Sequence, residues 1–134
     1  MVNQEPLIIL DGAHNLDAIV KLTQTLRERF KGRQLHLIIA ILKDKQPFEM
    51  VYELLKLHHV ELTLTKFVSS RPLADIKAIK QKYPQVKVAD QWQSAFVNEV
   101  RSMDSDDILI FGGSLYFISK VRPYFNKDDL KEEQ

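Results

Sequence analysis

The sequence predicts an α/β fold, a doubly wound, mainly parallel sheet with helices on both faces. Short apolar runs alternate about five times with segments whose apolar residues recur at helical spacing. The runs are continuous rather than alternating, which suits strands covered on both sides. The connections are short, so strand, helix and next strand follow as right-handed crossovers. Periodicity of this kind does not fix the strand order.

The first strand begins at Leu7 and runs to Leu10, ending in Asp11-Gly12-Ala13-His14-Asn15. Gly12 is expected to let the backbone turn sharply, and either His14 or Asn15 can cap the next helix, Asn15 being the better capping type. Leu16, Ile19, Val20, Leu22, Leu26 and Phe30 line one side of that helix, with Lys21, Gln24, Arg27 and Glu28 on the other. Gly32 falls where a left-handed residue commonly stops a helix.

Leu35 to Leu42 forms the second strand, with only His36 polar inside it. Lys43-Asp44-Lys45-Gln46 then leads to Pro47, well placed as the first residue of a helix that turns Met50, Val51, Leu54, Leu55 and Leu57 inward. Glu61 to Val68 is the third strand and Ser69 to Pro72 its loop. Leu73 to Tyr83 is a helix with Leu73, Ile76, Ile79 and Tyr83 inward, ended by Pro84.

Val86 to Ala89 is a short fourth strand. The helix from Gln91 to Met103 carries Trp92, Ala95, Phe96, Val100 and Met103 at helical spacing, with Glu99 the one charged residue in that stripe. Ile108 to Phe111 is the fifth strand, and Gly112-Gly113-Ser114 leads into a last helix, Leu115 to Val121, closed by Pro123. After Phe125 the chain turns polar and is expected to fray. The expected organisation is one domain over residues 1–125 and a polar tail over 126–134.

A chain of 134 residues with 45% hydrophobic content can build one ordinary core and is too short for two. Its net charge of +1, with both signs mixed among 28% charged residues, gives no electrostatic case for nucleic acid or an anionic membrane surface. The absence of cysteine rules out disulfides and thiolate metal sites. No signal-like segment and no apolar run of about 20 residues occurs, so a cytoplasmic location is expected.

Open α/β sheets bind ligands beyond the carboxyl ends of their strands, and three loops there carry polar groups. Asp11 and Asn15 can simply satisfy backbone donors at the turn. His14 is different, because a capping turn has no need of an imidazole. An acid after the first strand can accept from ribose hydroxyls, and a histidine at a helix start can help hold phosphate or developing charge. Lys43-Asp44-Lys45 is either a solvated loop with a local ion pair or a cationic site for a carboxylate or phosphate, with Asp44 orienting one ammonium. Gly112-Gly113-Ser114 is either a flexible turn or an anion nest in which Ser114 adds a hydroxyl.

Other candidates are weaker. His58 and His59 are adjacent and read as loop residues, since metal-binding histidines on a helix recur at i, i+4. His36 reads as a packed or edge side chain and Trp92 as core, while Ser69, Ser70 and Arg71 could approach the same edge but read first as loop.

Leu10-Asp11-Gly12-Ala13-His14-Asn15 resembles the Asp-Gly-Ala-His-Asn-Pro motif that opens the C-terminal domain of folylpolyglutamate synthases and dihydrofolate synthases, in the Mur ligase superfamily. Ile41-Leu42-Lys43-Asp44-Lys45 is similar to the family's Asp-Lys loop, and Gly113-Ser114-Leu115-Tyr116-Phe117 to its late Gly-Ser-Leu-Tyr signature. The likeness runs from about Leu7 to Pro123. Leu16 stands in place of the family's proline, Gln46 in place of a frequent acid, and Gly112 in place of a frequent threonine.

The resemblance implies a Rossmann-like Mur ligase C-terminal domain. It implies ATP-dependent activation of a folate's terminal carboxylate as an acyl phosphate, which the amino group of L-glutamate attacks. It further implies that Asp11 binds the ATP ribose and that His14, with Asn15, faces the terminal phosphate or the acyl phosphate. Lys43 or Lys45 and Ser114 hold the glutamate carboxylates. No Gly-x-x-Gly-Lys-Ser/Thr loop occurs in the chain. The phosphate loop and the Mg2+ ligands are therefore expected in a larger N-terminal ATPase domain, with no metal ligands here and Met1 an added start. The rival reading is a stand-alone nucleotide- or anion-binding regulatory module. Its phosphoacceptor version is disfavoured by Lys66-Phe67-Val68 after the third strand and Gly112-Gly113-Ser114 after the fifth.

Overall fold

In the computed structural model, which describes residues 7–125 and 130–133 (the last four by their backbone), the apolar runs become strands of a single sheet. The order along the chain is β1 (Leu7–Asp11), α1 (Leu16–Arg29), β2 (Leu35–Ile39), α2 (Pro47–Leu55), β3 (Val60–Thr65), α3 (Ile76–Lys82), β4 (Lys87–Ala89), α4 (Trp92–Ser102), β5 (Ile108–Gly112), α5 (Leu115–Val121) and β6 (Leu130–Glu133). The strands lie in the order β4-β3-β2-β5-β1-β6, and all the pairings are parallel.

Successive strand residues point to opposite faces, so each continuous apolar run feeds two cores. Ile9, Leu37, Ile39, Leu62, Leu64, Ile108 and Ile110 pack with residues of α1, α2 and α3, among them Ile19, Leu22, Met50, Leu54 and Ile79. Their neighbours Leu10, Ile38, Ala40, Leu109 and Phe111 pack on the other face with Trp92 and Ala95 of α4 and Phe117, Ile118 and Val121 of α5. Trp92 meets Phe111 edge-on, with ring centroids 5.8 Å apart, which makes it a core residue as its place in the stripe predicts.

This topology supplies what the sequence pattern could not, the switch point. From β1 the chain turns onto one face as α1; from the adjacent β5 it turns onto the opposite face as α5. The chain therefore diverges at the carboxyl ends of β1 and β5 and leaves a crevice there.

Four local differences have physical causes. α3 starts at Ile76 rather than Leu73, because Asp75 accepts from the Ala78 N–H at 3.1 Å and so caps the helix. Leu73 instead bridges Leu42 in antiparallel fashion, and the Ala74 N–H donates to the Ile41 carbonyl at 2.9 Å. β2 accordingly ends at Ile39, although Ala40 to Leu42 remain buried. β3 likewise stops at Thr65, leaving Val68 exposed in the following loop.

The fourth concerns the expected fraying tail over 126–134. Residues 130–133 form β6, in register Ile8↔Leu130 to Asp11↔Glu133. The outer side of β1 presents unpaired backbone donors and acceptors, and a strand can satisfy them whatever its side-chain polarity. The other tail residues lie outside the described ones.

Candidate active site

The β1–α1 turn is organised by its own polar side chains. The Ala13 N–H donates to Asp11 Oδ1 at 2.7 Å, and Asn15 accepts from the Ala18 N–H at 2.9 Å as the N-cap of α1. The capping alternatives thus resolve to Asn15. His14 is left for something else. Its Nδ1 lies 2.9 Å from the Gly12 carbonyl, a contact that requires Nδ1–H and turns Nε2 outward from the turn.

Gly12 does not adopt the left-handed conformation, and a Cβ there would meet the flexible end of the Leu115 side chain, with Cδ2 at 2.7 Å. Gly113 has the left-handed conformation instead, with φ +100°.

Three loops meet at the crevice. The Gly113 N–H donates to the Ala13 carbonyl at 3.1 Å and ties the β5–α5 turn to the β1–α1 turn. The Ala40 N–H donates to the Gly112 carbonyl at 3.1 Å and ties the β2–α2 connection to the same point. Asp11, Gly12, Ala13, His14, Lys21, Leu115 and Arg122 are among the residues around a cavity of about 340 Å³ between α1 and α5. Its lining is mainly apolar and includes an acid, an imidazole and two cations, a composition suited to a phosphorylated organic ligand.

Ser114 lies at the start of α5, where its Oγ accepts from the N–H groups of Tyr116 at 3.1 Å and Phe117 at 3.4 Å. It is 1% exposed. The hydroxyl is thus the helix cap, and as an acceptor it still has a proton to give. Lys43 is exposed and Lys45 half-buried on the loop after β2, at the same edge of the sheet.

Asp44 does not pair with either lysine. It accepts from Arg71 Nη2 at 2.9 Å, and the Arg71 guanidinium lies 5.5 Å from the centroid of the Tyr116 ring, with Nη1 3.4 Å from its hydroxyl. The backbone explains why. Because the Lys43 N–H donates to the Pro72 carbonyl at 2.9 Å, the β3–α3 loop is held against the β2–α2 loop and Arg71 reaches across. The sequence offers Arg71 as a loop residue able to approach this edge, and the Lys43–Pro72 hydrogen bond and the Leu42–Leu73 pairing, which have no local signal, bring it here. Replacing Arg71 with alanine is expected to change thermal stability little, the pair being exposed, but to loosen the Lys43–Lys45 loop. Faster amide exchange there, with the core unchanged, would register it.

An all-parallel sheet with a polar crevice at its switch point defines an open, doubly wound α/β domain that takes ligands beyond its strand ends. The chain belongs, more particularly, to the family described as Mur ligase, glutamate ligase domain, which matches residues 1–115.

The dihydrofolate synthase/folylpolyglutamate synthase of Bacillus subtilis is 27% identical over 131 residues, covering 91% of this chain and 28% of that protein. The folylpolyglutamate synthase of Lacticaseibacillus casei is 31% identical over 121 residues, covering 90% of this chain and 27% of that protein. Among solved structures, the bifunctional folylpolyglutamate synthase/dihydrofolate synthase of Yersinia pestis complexed with AMPPNP and Mn ion shares the fold, with TM-score 0.77 and 22% identity over 92% of this chain and 29% of that one. The chain thus spans just over a quarter of the length of these relatives. Among the described residues, no helix is long and apolar enough to cross a membrane.

Proposed function

We propose that this chain is the C-terminal domain of an ATP-dependent folylpolyglutamate synthase acting in the cytoplasm. The intact enzyme adds L-glutamate to the terminal carboxylate of a folate through an acyl phosphate, releasing ADP and phosphate. The observation that carries this reading is the joining of three loops at the β1/β5 crevice, beside a cavity whose lining includes Asp11 and His14.

In this reading Asp11 accepts from the ATP ribose. The Nε2 of His14, held outward by the Gly12 carbonyl, faces the terminal phosphate or the acyl phosphate, and it donates a hydrogen only when the ring is charged. Asn15 sets the start of α1, whose first-turn N–H groups favour negative charge nearby. Lys43 or Lys45 and the Ser114 hydroxyl hold the glutamate carboxylates. Charge develops on phosphoryl oxygens and on the tetrahedral carbon, so fixed donors and cations supply the catalysis rather than a nucleophile from this chain. The phosphate loop and Mg2+ ligands belong to an N-terminal ATPase domain, and closing the two domains excludes water from the acyl phosphate. Magnesium, when bound there, neutralises phosphate charge.

The 134-residue chain mixed with ATP, Mg2+, folate and L-glutamate is expected to give no product, and product is expected when the N-terminal domain is joined to it. Turnover by the chain alone would refute the two-domain reading. Ser114→Ala in the joined enzyme is expected to raise the KM for glutamate and to cost about 1 kcal/mol of stability through the lost cap. A glutamate dependence that stays the same would remove Ser114 from the site.

A further inference from the structure

The opposite end of the sheet carries a cluster of charges that the proposed reaction does not use. His36, the second residue of β2, is 1% exposed, and both its ring nitrogens meet carboxylates. Nδ1 lies 2.9 Å from Glu99 Oε1 of α4, and Nε2 lies 2.9 Å from Asp107 Oδ2 in the turn before β5. Glu99 is 2% exposed, and its second oxygen accepts from Lys87 Nζ of β4 at 2.7 Å. The same ammonium donates to Glu61 Oε1 of β3 at 2.6 Å, while Glu61 Oε2 stands 3.8 Å from His36 Nδ1. Asp107 Oδ2 also accepts from the Asp104 N–H at 3.1 Å.

Ring chemistry decides the protonation state. A neutral imidazole has one N–H and one bare lone pair, whereas an imidazolium has two N–H groups. With a carboxylate against each nitrogen, the neutral ring would set a lone pair against an anion in a buried site. Three carboxylates and one ammonium surround the ring, so the added positive charge also offsets the local excess of negative charge. His36, Glu61 and Glu99 have ligand atoms within 4.8 Å of one another, close enough to share a metal ion, but the Lys87 ammonium already bridges the two glutamates and is the resident cation.

We propose that His36 is held as the imidazolium and serves as a proton-dependent fastener of α4 to the sheet. Losing the proton leaves Glu99 or Asp107 facing a bare nitrogen and loosens the element that carries it, the end of α4 or the turn into β5. The directions of titration agree. Burial alone lowers the affinity of His36 for its proton, but the hydrogen bonds to Glu99 and Asp107 and the charges of Glu99 and Glu61 more than reverse this, raising its pKa above the ordinary 6.5. For Glu99, burial opposes ionisation, and the bonds to His36 and Lys87 overcome it, lowering its pKa from 4.5.

The signs follow from linkage. A raised histidine pKa stabilises fully below its unfolded value, and that stability is lost as pH rises through the folded value. A lowered glutamate pKa stabilises above its unfolded value, and that stability is lost as pH falls through the folded one. The cluster therefore contributes most between pH 4.5 and 6.5 and weakens on either side, through His36 above it and Glu99 below it.

The test uses the 134-residue chain with 15N-labelled histidine. At pH 6.5 both ring nitrogens of His36 are expected to be protonated, with a midpoint above that of a free histidine. The unfolding constant is expected to rise by up to tenfold per pH unit from 6.5 to that midpoint, and amides of α4 or of the turn into β5 to exchange faster above it. In His36→Gln the rise should vanish. A neutral single tautomer of His36 at pH 6.5 would overturn the proposal, as would exchange that stays the same across the midpoint in both α4 and the turn into β5. If His36→Gln does not fold, the wild-type titration and exchange decide it alone.

Discussion

Replacing His14 with alanine in the intact two-domain enzyme is expected to lower kcat about 10²- to 10³-fold, the usual cost of removing one preorganised group at a developing charge. The expectation comes from the division of labour in the β1–α1 turn. Asn15 caps the helix and Asp11 holds the Ala13 N–H, so the turn already has its structural side chains. His14 makes one half-buried hydrogen bond to the Gly12 carbonyl, and losing it should cost at most about 1 kcal/mol. A large loss of turnover with little change in thermal stability is thus the expected pair of results. Near-normal turnover would take His14 out of the mechanism.

Gly113→Ala is expected to be the most destabilising single substitution at the crevice, on the order of 3 kcal/mol, because it adds a side chain at φ +100°. Space is lacking as well. The new Cβ would lie 2.6 Å from the Ala40 carbonyl oxygen and 2.7 Å from Ile39 Cγ2, and the first of these is backbone that cannot rotate away. For a domain of this size the loss corresponds to a fall in Tm of about 10 °C. Gly12→Ala is the control. Its Cβ would meet only the far end of the exposed Leu115 side chain, which can rotate aside, so a loss under about 1 kcal/mol is expected. Equal losses in the two variants would mean that the tie between the β5–α5 and β1–α1 turns is not what holds the crevice in shape.

The elements legible in the sequence were those whose signal is local. Continuous apolar runs at Leu7, Leu35 and Ile108 mark strands buried on both faces, and the structure buries them, with Leu7 and Ile8 half-buried. Pro47 at the start of α2 and Asn15 at the cap of α1 are local chemistry and fall where expected. Elements that depend on distant pairing were not legible. Leu73 has an apolar position in a helical stripe, yet bridging to Leu42 takes it out of the helix. Three of the four residues of β6 are charged, and pairing along the open side of β1 makes them a strand.

The same division holds within the site. Asp11, His14 and Ser114 could be picked out because an acid, an imidazole and a hydroxyl follow strand ends, and the sheet places those ends on one rim. The partner of Asp44 could not. Two lysines flank it in the chain, but the guanidinium it meets is 27 residues away. Glu99 gave a different kind of signal, as the one charge in an apolar stripe. Its burial against His36 and Lys87 is the reason it can stand there.

In the two-domain enzyme proposed above, nucleotide and amino acid meet at the β1/β5 crevice. A crystal structure of the intact enzyme with an unhydrolysable ATP analogue and L-glutamate tests it most directly. The ribose is expected against Asp11, the terminal phosphate near His14, and the glutamate carboxylates near Ser114 and one of Lys43 and Lys45. Ligands seated away from this rim, leaving Asp11 and His14 without contact, would contradict it.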